Sequence, residues 1–210
     1  MPEVFEVILL IVFAVMPAIV LHELAHGATA LALGDPTARN LGRLTLNPIR
    51  HLDLWGSIII PGGLFLMHFF GLTKSLLLFG WAKPVPVDWG RLRNPRRDMM
   101  LVAAAGPMTN ILLAWALIQM YAWPPLSGFS RIIGWGILFN LMLAVFNMVP
   151  IPPLDGSRVV AGLLPRRAAY FYGQLEPFGL LIVVVLLQMG MLKFLYPLIS
   201  HLGYLLGAGI

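Results

Sequence analysis

The stretch AIVLHELAHGATALAL, residues 18–33, places two histidines and a glutamate inside an otherwise apolar run. The run begins near residue 4 and ends at Gly34-Asp35-Pro36, a combination that typically stops a helix. At about 1.5 Å per residue, a helix over this run is long enough to cross a bilayer. A carboxylate at that depth costs about 2.5–3.5 kcal/mol on the lenient insertion scale, so ionisable groups clustered in one turn indicate a function.

The composition predicts a polytopic membrane protein. The chain has 210 residues, of which 59% are hydrophobic and 11% are charged, whereas soluble domains carry about 25% charged residues. We expect an all-α membrane protein that forms a single domain over residues 1–210, with about six membrane segments. The segments are expected at 4–33, 56–81, 99–122, 131–150, 168–189 and 193–208.

The distribution of basic residues predicts the orientation. The net charge is +5, and nine of the fourteen Lys and Arg residues lie between Arg39 and Arg97, in segments that join apolar runs. This bias is typical of cytoplasmic loops rather than of a nucleic-acid-binding surface, so we expect no nucleic-acid partner. We expect a multi-pass protein of the cell membrane, with its N-terminus outside and His22 and Glu23 toward the cytoplasmic side. The N-terminal run lacks a basic start, so we expect it to be retained rather than cleaved.

A second apolar run, residues 56–81, is interrupted by Pro61-Gly62-Gly63 and by Gly71, and basic segments flank both of its ends. One straight span cannot place both ends in the cytoplasm, so we expect a re-entrant hairpin or two short tilted segments. Residues 41–48 alternate apolar and polar like a β-strand, and the prolines of KPVPV, residues 83–87, favour an extended chain.

The spacing of His22 and His26 stacks two imidazoles on one face of a helix, where both can bind a zinc ion. Glu23 is then placed to accept a proton from water at that ion. A catalytic zinc needs a third protein ligand, and the absence of cysteine restricts it to His, Asp or Glu. Asp155 is the best candidate, because prolines precede it and Gly156 gives the turn conformational freedom.

Alternatives to this ligand set remain open on the residues alone. Taken by itself, Asp155 is better interpreted as the N-cap of a helix at 157–164. For the histidines outside the motif, an exposed interfacial or structural position is the expected one. The other side chains that could be ligands are His51, His68, His201, Asp53 and Glu176.

Together the motifs resemble the site-2 protease family of intramembrane zinc metalloproteases, in its compact prokaryotic branch without PDZ or nucleotide-sensing domains. The family's His-Glu-x-x-His appears at residues 22–26, its Gly-Pro-x-x-Asn at 106–110 and its Leu-Asp-Gly at 154–156. RLTLNPIRH, residues 43–51, and GWAKPVPV, residues 80–87, resemble further segments of that branch. One departure is Ser157, where many relatives have a second glycine.

The resemblance implies one zinc ion per chain, bound by His22, His26 and Asp155, with Glu23 as general base and acid. It also implies that Asn147, eight residues before the aspartate, hydrogen-bonds the substrate carbonyl or its oxyanion.

The resemblance also bears on which residues and segments bind the substrate. For Asn110, a substrate contact and interhelical hydrogen bonding are equally supported. Segments 41–48 and 83–87 would form a small re-entrant β element near the active site, which could hold an unwound substrate by strand addition. The substrate would be a transmembrane protein or a membrane-bound peptide, cut in or near a transmembrane segment of the lipid bilayer.

Two other functions remain as alternatives. A metal transporter with a site near the bilayer midplane would also bury histidines and acids, although it would usually show inverted repeats. An inactive relative acting as a membrane binding scaffold is the second, although the complete set of ligands and base argues against it. Nothing in the chain indicates which substrate is cut, how access is gated or which oligomer forms.

Overall fold

The computed structural model describes Glu6, residues 8–72 and residues 80–208, except for the side chains of residues 191–192. All regular secondary structure in these residues is helical. The three longest helices are α1 (Ile8–Ala32), α4 (Pro95–Tyr121) and α5 (Ser130–Asn147). The others are α2 (Thr37–Asn40), α3 (Leu54–Phe69), α6 (Asp155–Leu163), α7 (Arg166–Gly173), α8 (Glu176–Gln188) and α9 (Leu195–Leu205), with 3₁₀ turns at Pro48–His51, Trp89–Arg91, Pro124–Phe129 and Met191–Phe194.

Helix α1 carries the HELAH motif and contains a π-helical stretch, Ile11–Val15, directly before its α-helical part Met16–Ala32. Pro17 follows that π-helical stretch, at the start of the α-helical part. The helix ends at Gly34, whose φ of 112° is one that glycine adopts without strain. The histidines therefore lie in an uninterrupted α-helical stretch.

Helix α4 is the centre of the bundle and packs against α1, α5 and α6. Two buried apolar clusters hold it in place. The cluster between α4 and α5 consists of Ala114, Ile118, Ile133, Ile137, Leu141 and Ala208. The cluster between the end of α1 and the start of α4 consists of Ala30, Leu92, Met99 and Val102. These contacts fix α1 against α4, on the side of α1 where the histidines lie.

Among the residues that the structure describes, three helices are long and apolar enough to cross a membrane: α1, α4, and α5 together with the preceding 3₁₀ turn. Helices α7 and α8 would add a fourth span if counted together, although they meet at an angle of 65°. The prediction of about six membrane segments is therefore not confirmed in the described residues. The expected span at 168–189 is broken because Pro177 begins a new helix, and the last one contains a helix of only 11 residues, Leu195–Leu205.

Trp81, at the end of the second apolar run, lies against the start of α3. The N–H of Trp81 donates to the Gly56 carbonyl at 3.1 Å, and the Ser57 hydroxyl donates to the Trp81 carbonyl at 2.9 Å. The Trp81 ring packs so closely on Gly56 that any side chain there would overlap it. Both ends thus lie together, as a re-entrant hairpin requires, while residues 73–79 lie outside the described part.

The predicted β element is not formed in the described part of the chain, where neither 41–48 nor 83–87 pairs as a strand. Residues 80–87 are nevertheless held in place by alternate N–H groups, since Lys83 donates to the His51 carbonyl and Val85 to the Glu23 carboxylate, both at 2.8 Å. The prolines between them have no N–H, so the other edge of this segment cannot donate a regular ladder.

Asp35, just beyond α1, ties the loop that follows residue 80 to the bundle. Its buried carboxylate accepts hydrogen bonds from the N–H of Thr37 at 2.9 Å and from the N–H of Asp88 at 2.7 Å. Burial alone would raise the pKa of Asp35, but the hydrogen bonds from Thr37 and Asp88 outweigh burial and lower the pKa below its usual value. The ionised carboxylate is therefore the form that stabilises the fold.

Candidate metal centre

His22 and His26 lie one helical turn apart on α1 and meet Asp155, the first residue of α6. Their Nε2 atoms are 3.0 Å apart, and Asp155 Oδ2 lies 3.1 Å from His22 Nε2 and 3.3 Å from His26 Nε2. All three side chains are buried. No other group of three His, Cys, Asp or Glu side chains converges in this way among the residues that the structure describes.

Each imidazole is oriented by a partner on α4. His26 Nδ1–H donates at 2.7 Å to the carbonyl oxygen of Val102, which can only accept. His22 Nδ1–H donates at 2.5 Å to Oδ1 of Asn110. A neutral imidazole carries one hydrogen, so the lone pairs of both Nε2 atoms face Asp155. Three electron-rich atoms this close together repel one another unless a cation or a proton lies among them.

The three atoms fit zinc. Ligand atoms at about 2.0–2.1 Å from a tetrahedral zinc ion lie about 3.3–3.4 Å from one another. The separations found here, 3.0–3.3 Å, are close to that geometry. Two imidazole nitrogens and one carboxylate oxygen also form the three-ligand set of a catalytic zinc, which keeps a fourth position open.

Asp155 reaches the histidines because the chain folds tightly between α5 and α6. Gly156 packs against the Met148 carbonyl, where a side chain would overlap it. The expectation that Gly156 supplies conformational freedom is wrong, because its φ is not positive and close packing is what requires the glycine. The N-cap interpretation of Asp155 is wrong as well, since Leu154 occupies that position and the Asp155 carboxylate contacts the histidines.

Asp155 carries the negative charge of the site. Burial alone would raise the pKa of Asp155, whereas a positive charge held between its carboxylate and the two imidazoles outweighs burial and holds the pKa well below its usual value. The carboxyl group is therefore ionised, as a metal ligand must be.

Glu23 is partly buried beside His22, and its Oε2 accepts a hydrogen bond from the N–H of Val85 at 2.8 Å. Two contacts fix the position of that N–H. The Val85 side chain packs on Gly27 of α1, where a Cβ would lie 2.9 Å from it. Arg43, which is buried, donates from Nη2 to the Lys83 carbonyl at 2.8 Å. The loop around residues 80–87 thus supplies a fixed donor to the carboxylate.

The two asparagines predicted near the site differ in their surroundings. Asn147 ends α5 and is partly buried, and its Nδ2 donates to the Leu143 carbonyl at 3.0 Å, which uses one of its two amide hydrogens. Asn110 is fully buried, and its amide contacts His22, Ala18 and Asn140. Asn110 therefore makes hydrogen bonds between helices, which is one of its two interpretations. The other one, a contact with the substrate, stays a prediction.

Sequence analysis missed Asn140 of α5, which is buried with its Oδ1 2.8 Å from Asn110 Nδ2. A signal was available, because Asn140 and Asn147 are seven residues apart, on one helix face, in a run without charged residues. The expectation of an exposed His51 is wrong, since His51 is buried with Nε2 2.8 Å from the Thr45 carbonyl. The remaining candidates lie away from the cluster: His68 on α3, His201 on α9, Asp53 at the N-cap of α3 and Glu176 at the start of α8.

A helix with the HELAH motif, whose two histidines meet an aspartate from a separate helix in a bundle of apolar helices, is typical of a membrane zinc metalloprotease. The chain belongs to peptidase family M50, the site-2 protease family, which it matches over residues 9–125 and 121–189. It is a zinc metalloendopeptidase of the site-2 protease type, and its apolar helices agree with a multi-pass membrane protein.

The relatives of this chain include proteins designated "Putative zinc metalloprotease". YwhC of Bacillus subtilis is 37% identical over 186 residues, which cover 84% of this chain and 78% of YwhC. Rip2 of Mycolicibacterium smegmatis is 29% identical over 188 residues, which cover 86% of this chain and 67% of Rip2. The zinc metalloprotease MJ0392 of Methanocaldococcus jannaschii is 26% identical over 78 residues, 36% of this chain and 23% of that protein. No solved structure matches the chain significantly.

Proposed function

We propose that this protein is an intramembrane endopeptidase that hydrolyses peptide bonds in or near transmembrane segments of other membrane proteins. One zinc ion per chain would be held by His22 Nε2, His26 Nε2 and Asp155 Oδ2. The observation that carries the proposal is the convergence of these three buried atoms, 3.0–3.3 Å apart, beside α1, a helix of membrane length. A substrate that approaches this helix from within the bilayer is itself a membrane protein or a membrane-bound peptide.

When bound, zinc supplies a Lewis acid that acidifies a water molecule and polarises a carbonyl oxygen. Glu23 is the proton carrier: a carboxylate oxygen removes a proton from the attacking water and later delivers it to the leaving nitrogen. The Val85 N–H holds Oε2 of Glu23, so we assign the proton transfer to Oε1. This hydrogen bond restricts the orientations that the carboxylate can adopt.

Asn147 is proposed to assist at the carbonyl oxygen of the scissile bond. Its amide has one hydrogen beyond the bond to Leu143, and an N–H at that position would stabilise the charge that develops on oxygen during attack. Support comes from the chain fold, because Gly156 packs on the carbonyl of Met148, the residue after Asn147, and so brings the end of α5 beside the start of α6. Asn110, by contrast, has its amide engaged within the bundle.

The segment 80–87 is proposed to present the substrate to the site. Trp81, Lys83 and Val85 donate their N–H groups toward the protein, which is the period-two pattern of an extended chain. The opposite edge of the segment then consists of Ala82, Pro84 and Pro86. Only Ala82 has a backbone N–H on that edge, because proline has none. An unwound substrate would therefore bind mainly by donating its own N–H groups to carbonyl oxygens there.

The basic loops around residues 39–97 favour the cytoplasm as the side from which water enters, with the N-terminus outside. The meeting of Gly56 with Trp81 supports this topology, because both ends of segment 56–81 then lie on the same side as those loops. Water would reach Glu23 beside the same loops.

The proposal is tested with the variant Glu23→Gln and the matched control Glu6→Gln, which makes the same change on an exposed residue of the same helix run. Each purified protein is reconstituted in vesicles with membrane proteins, and new peptide termini are identified by mass spectrometry. We expect the wild type and Glu6→Gln to cut within transmembrane segments and lose activity with a zinc chelator. Glu23→Gln should retain one zinc per chain and cut nothing.

Cleavage by purified Glu23→Gln would exclude Glu23 as the proton carrier. Cuts confined to soluble domains would contradict the intramembrane substrate class. Because Glu23→Gln is expected to bind without cutting, it also serves to capture the substrate for identification.

A further inference from the structure

A chain of buried amides connects His22 on α1, through α4, to α5. His22 Nδ1–H donates to Asn110 Oδ1 at 2.5 Å, Asn110 Nδ2 donates to Asn140 Oδ1 at 2.8 Å, and Asn140 Nδ2 donates to the Gly136 carbonyl at 2.8 Å. Asn110 is 0% and Asn140 3% exposed, so water is not available to replace these partners. Each amide therefore depends on the next one for its hydrogen bonds.

The far end of the chain determines its direction. The Gly136 carbonyl can only accept, so Asn140 must turn its nitrogen toward it and its oxygen toward Asn110. Asn110 then presents its nitrogen to Asn140 and to the Ala18 carbonyl at 3.1 Å, and its oxygen to His22. If Asn110 were turned over, its oxygen would face two other acceptors and its N–H would face His22 Nδ1.

We propose that Asn140 is a positioning residue for the metal centre, which acts through Asn110 to keep the hydrogen of His22 on Nδ1. Nε2 is then left with a lone pair for the metal, whereas a hydrogen on Nε2 would point into the ligand cluster. His26 needs no such chain, because its Nδ1–H donates directly to the carbonyl of Val102. The inference rests on the proposed role of His22 as a zinc ligand.

The expected loss of zinc affinity can be estimated from other metal sites, in which hydrogen-bond partners orient the side chains that bind the metal. Their removal typically costs about 10-fold to 100-fold in metal affinity. Asn140 does not touch the cluster, so its replacement should act only through the orientation of Asn110. Asn140→Leu is the appropriate change, since it keeps the approximate size and removes both hydrogen bonds. Ile137→Ala is the matched control, because Ile137 is buried on the same helix but belongs to the apolar cluster with Ala114 and Ile118.

The test measures zinc affinity of the purified proteins by chelator competition, together with the ¹⁵N signals of His22 in the zinc-free proteins. Asn140→Leu should bind zinc about 10-fold to 100-fold more weakly and show His22 with hydrogen on Nε2. Ile137→Ala should keep the affinity and the wild-type tautomer. In a double-mutant cycle, Asn140→Leu should add no further loss to Asn110→Leu, because both act through the same hydrogen bond.

Unchanged zinc affinity in Asn140→Leu, with hydrogen still on Nδ1 of His22, would overturn the inference. Additive losses in the cycle would do so too. If Asn140→Leu does not fold, the zinc-free wild type decides alone: the absence of hydrogen on Nδ1 of His22 contradicts the inference, and its presence there supports the inference. A wild type that binds no zinc through His22 would instead refute the proposed function.

Discussion

Replacing Gly106 by alanine should remove zinc from the protein while leaving it folded. Gly106 lies on α4 against the two imidazole rings, and a Cβ there would be 2.5 Å from His26 Nε2 and 2.6 Å from the Cε1 atoms of His22 and His26. Non-bonded heavy atoms prefer about 3.5–4.0 Å, so the methyl group must displace the rings, or the helix, by about 1 Å. The rings cannot rotate away freely, because both Nδ1 atoms are held by hydrogen bonds to α4.

The expected loss of zinc is large compared with the expected loss of stability. Ligand distances at a metal site are tolerated within about 0.2 Å, and a shift of about 1 Å is well beyond that. We expect zinc affinity to fall by at least about 100-fold, the upper end of what a disturbed ligand environment costs. Overpacking costs about 1–3 kcal/mol of unfolding free energy, and replacing a helical glycine by alanine returns about 1 kcal/mol. The net change in stability is therefore small.

The assay combines zinc content by elemental analysis, zinc affinity by chelator competition, and thermal unfolding with and without zinc. Gly134→Ala is the matched control, because Gly134 is also helical and the nearest atom to its added Cβ would be 3.9 Å away, on Tyr121. It should bind zinc like the wild type. Wild-type zinc affinity in a folded Gly106→Ala protein would refute the reasoning, since it would mean that α4 does not press on the rings.

Three further changes test other parts of the structure. Val85→Pro removes the N–H that donates to Glu23, in a segment already extended by prolines, and also alters the side chain that packs on Gly27. We expect kcat to fall about 10-fold to 100-fold, a part of what a general base supplies, with zinc content unchanged. In Val85→Ala, which loses that packing but keeps the N–H, kcat should fall less. Because the pKa of Asp35 is lowered on folding, its contribution to stability is full above the unfolded-state value of about 4 and is lost as pH falls through the lower folded-state value. The difference in unfolding temperature between the wild type and Asp35→Asn should therefore be constant from pH 7 to 5 and shrink below pH 4; a constant difference down to pH 3 would contradict this. Gly179→Ala should destabilise the fold by about 1–3 kcal/mol and so lower the unfolding temperature, because a side chain at Gly179 would overlap the carbonyl of Pro152. An unchanged unfolding temperature would show that the turn before Asp155 can move.

The parts of the site that sequence predicts are those fixed by local geometry. Two histidines four residues apart must share a helix face, so the pairing of His22 and His26 needs no knowledge of the fold. Asp155 is different, because its distance from the histidines depends on how α5, α6 and the turn between them pack. Taken by itself, Asp155 was better interpreted as an N-cap. The need for a third ligand made it the best candidate, and the resemblance to a family supported that assignment.

The predictions that were not confirmed, or were wrong, concern packing partners that a pattern cannot specify. The alternation of residues 41–48 resembles a strand, yet no neighbouring chain in the described residues offers it a ladder. His51 was expected at the surface, but the loop that carries Lys83 donates to its carbonyl and helps to bury it. Asn140 lies in an apolar run where its partner is on another helix, so its role is visible only once α4 and α5 are packed.

Glycines near the HELAH motif share one physical role, which explains why the site can be assembled from distant segments. Gly106 lets α4 reach the imidazole rings, Gly27 lets Leu44 and Val85 pack over α1 beside Glu23, and Gly156 lets the start of α6 pack on the end of α5. None of the three has a positive φ, so conformational freedom is not the reason for any of them. In each case a Cβ would lie within 2.6 Å of a neighbouring atom, closer than real contacts allow. The close approach at these positions is what brings a base, two imidazoles and a carboxylate from separate parts of the chain into one cluster.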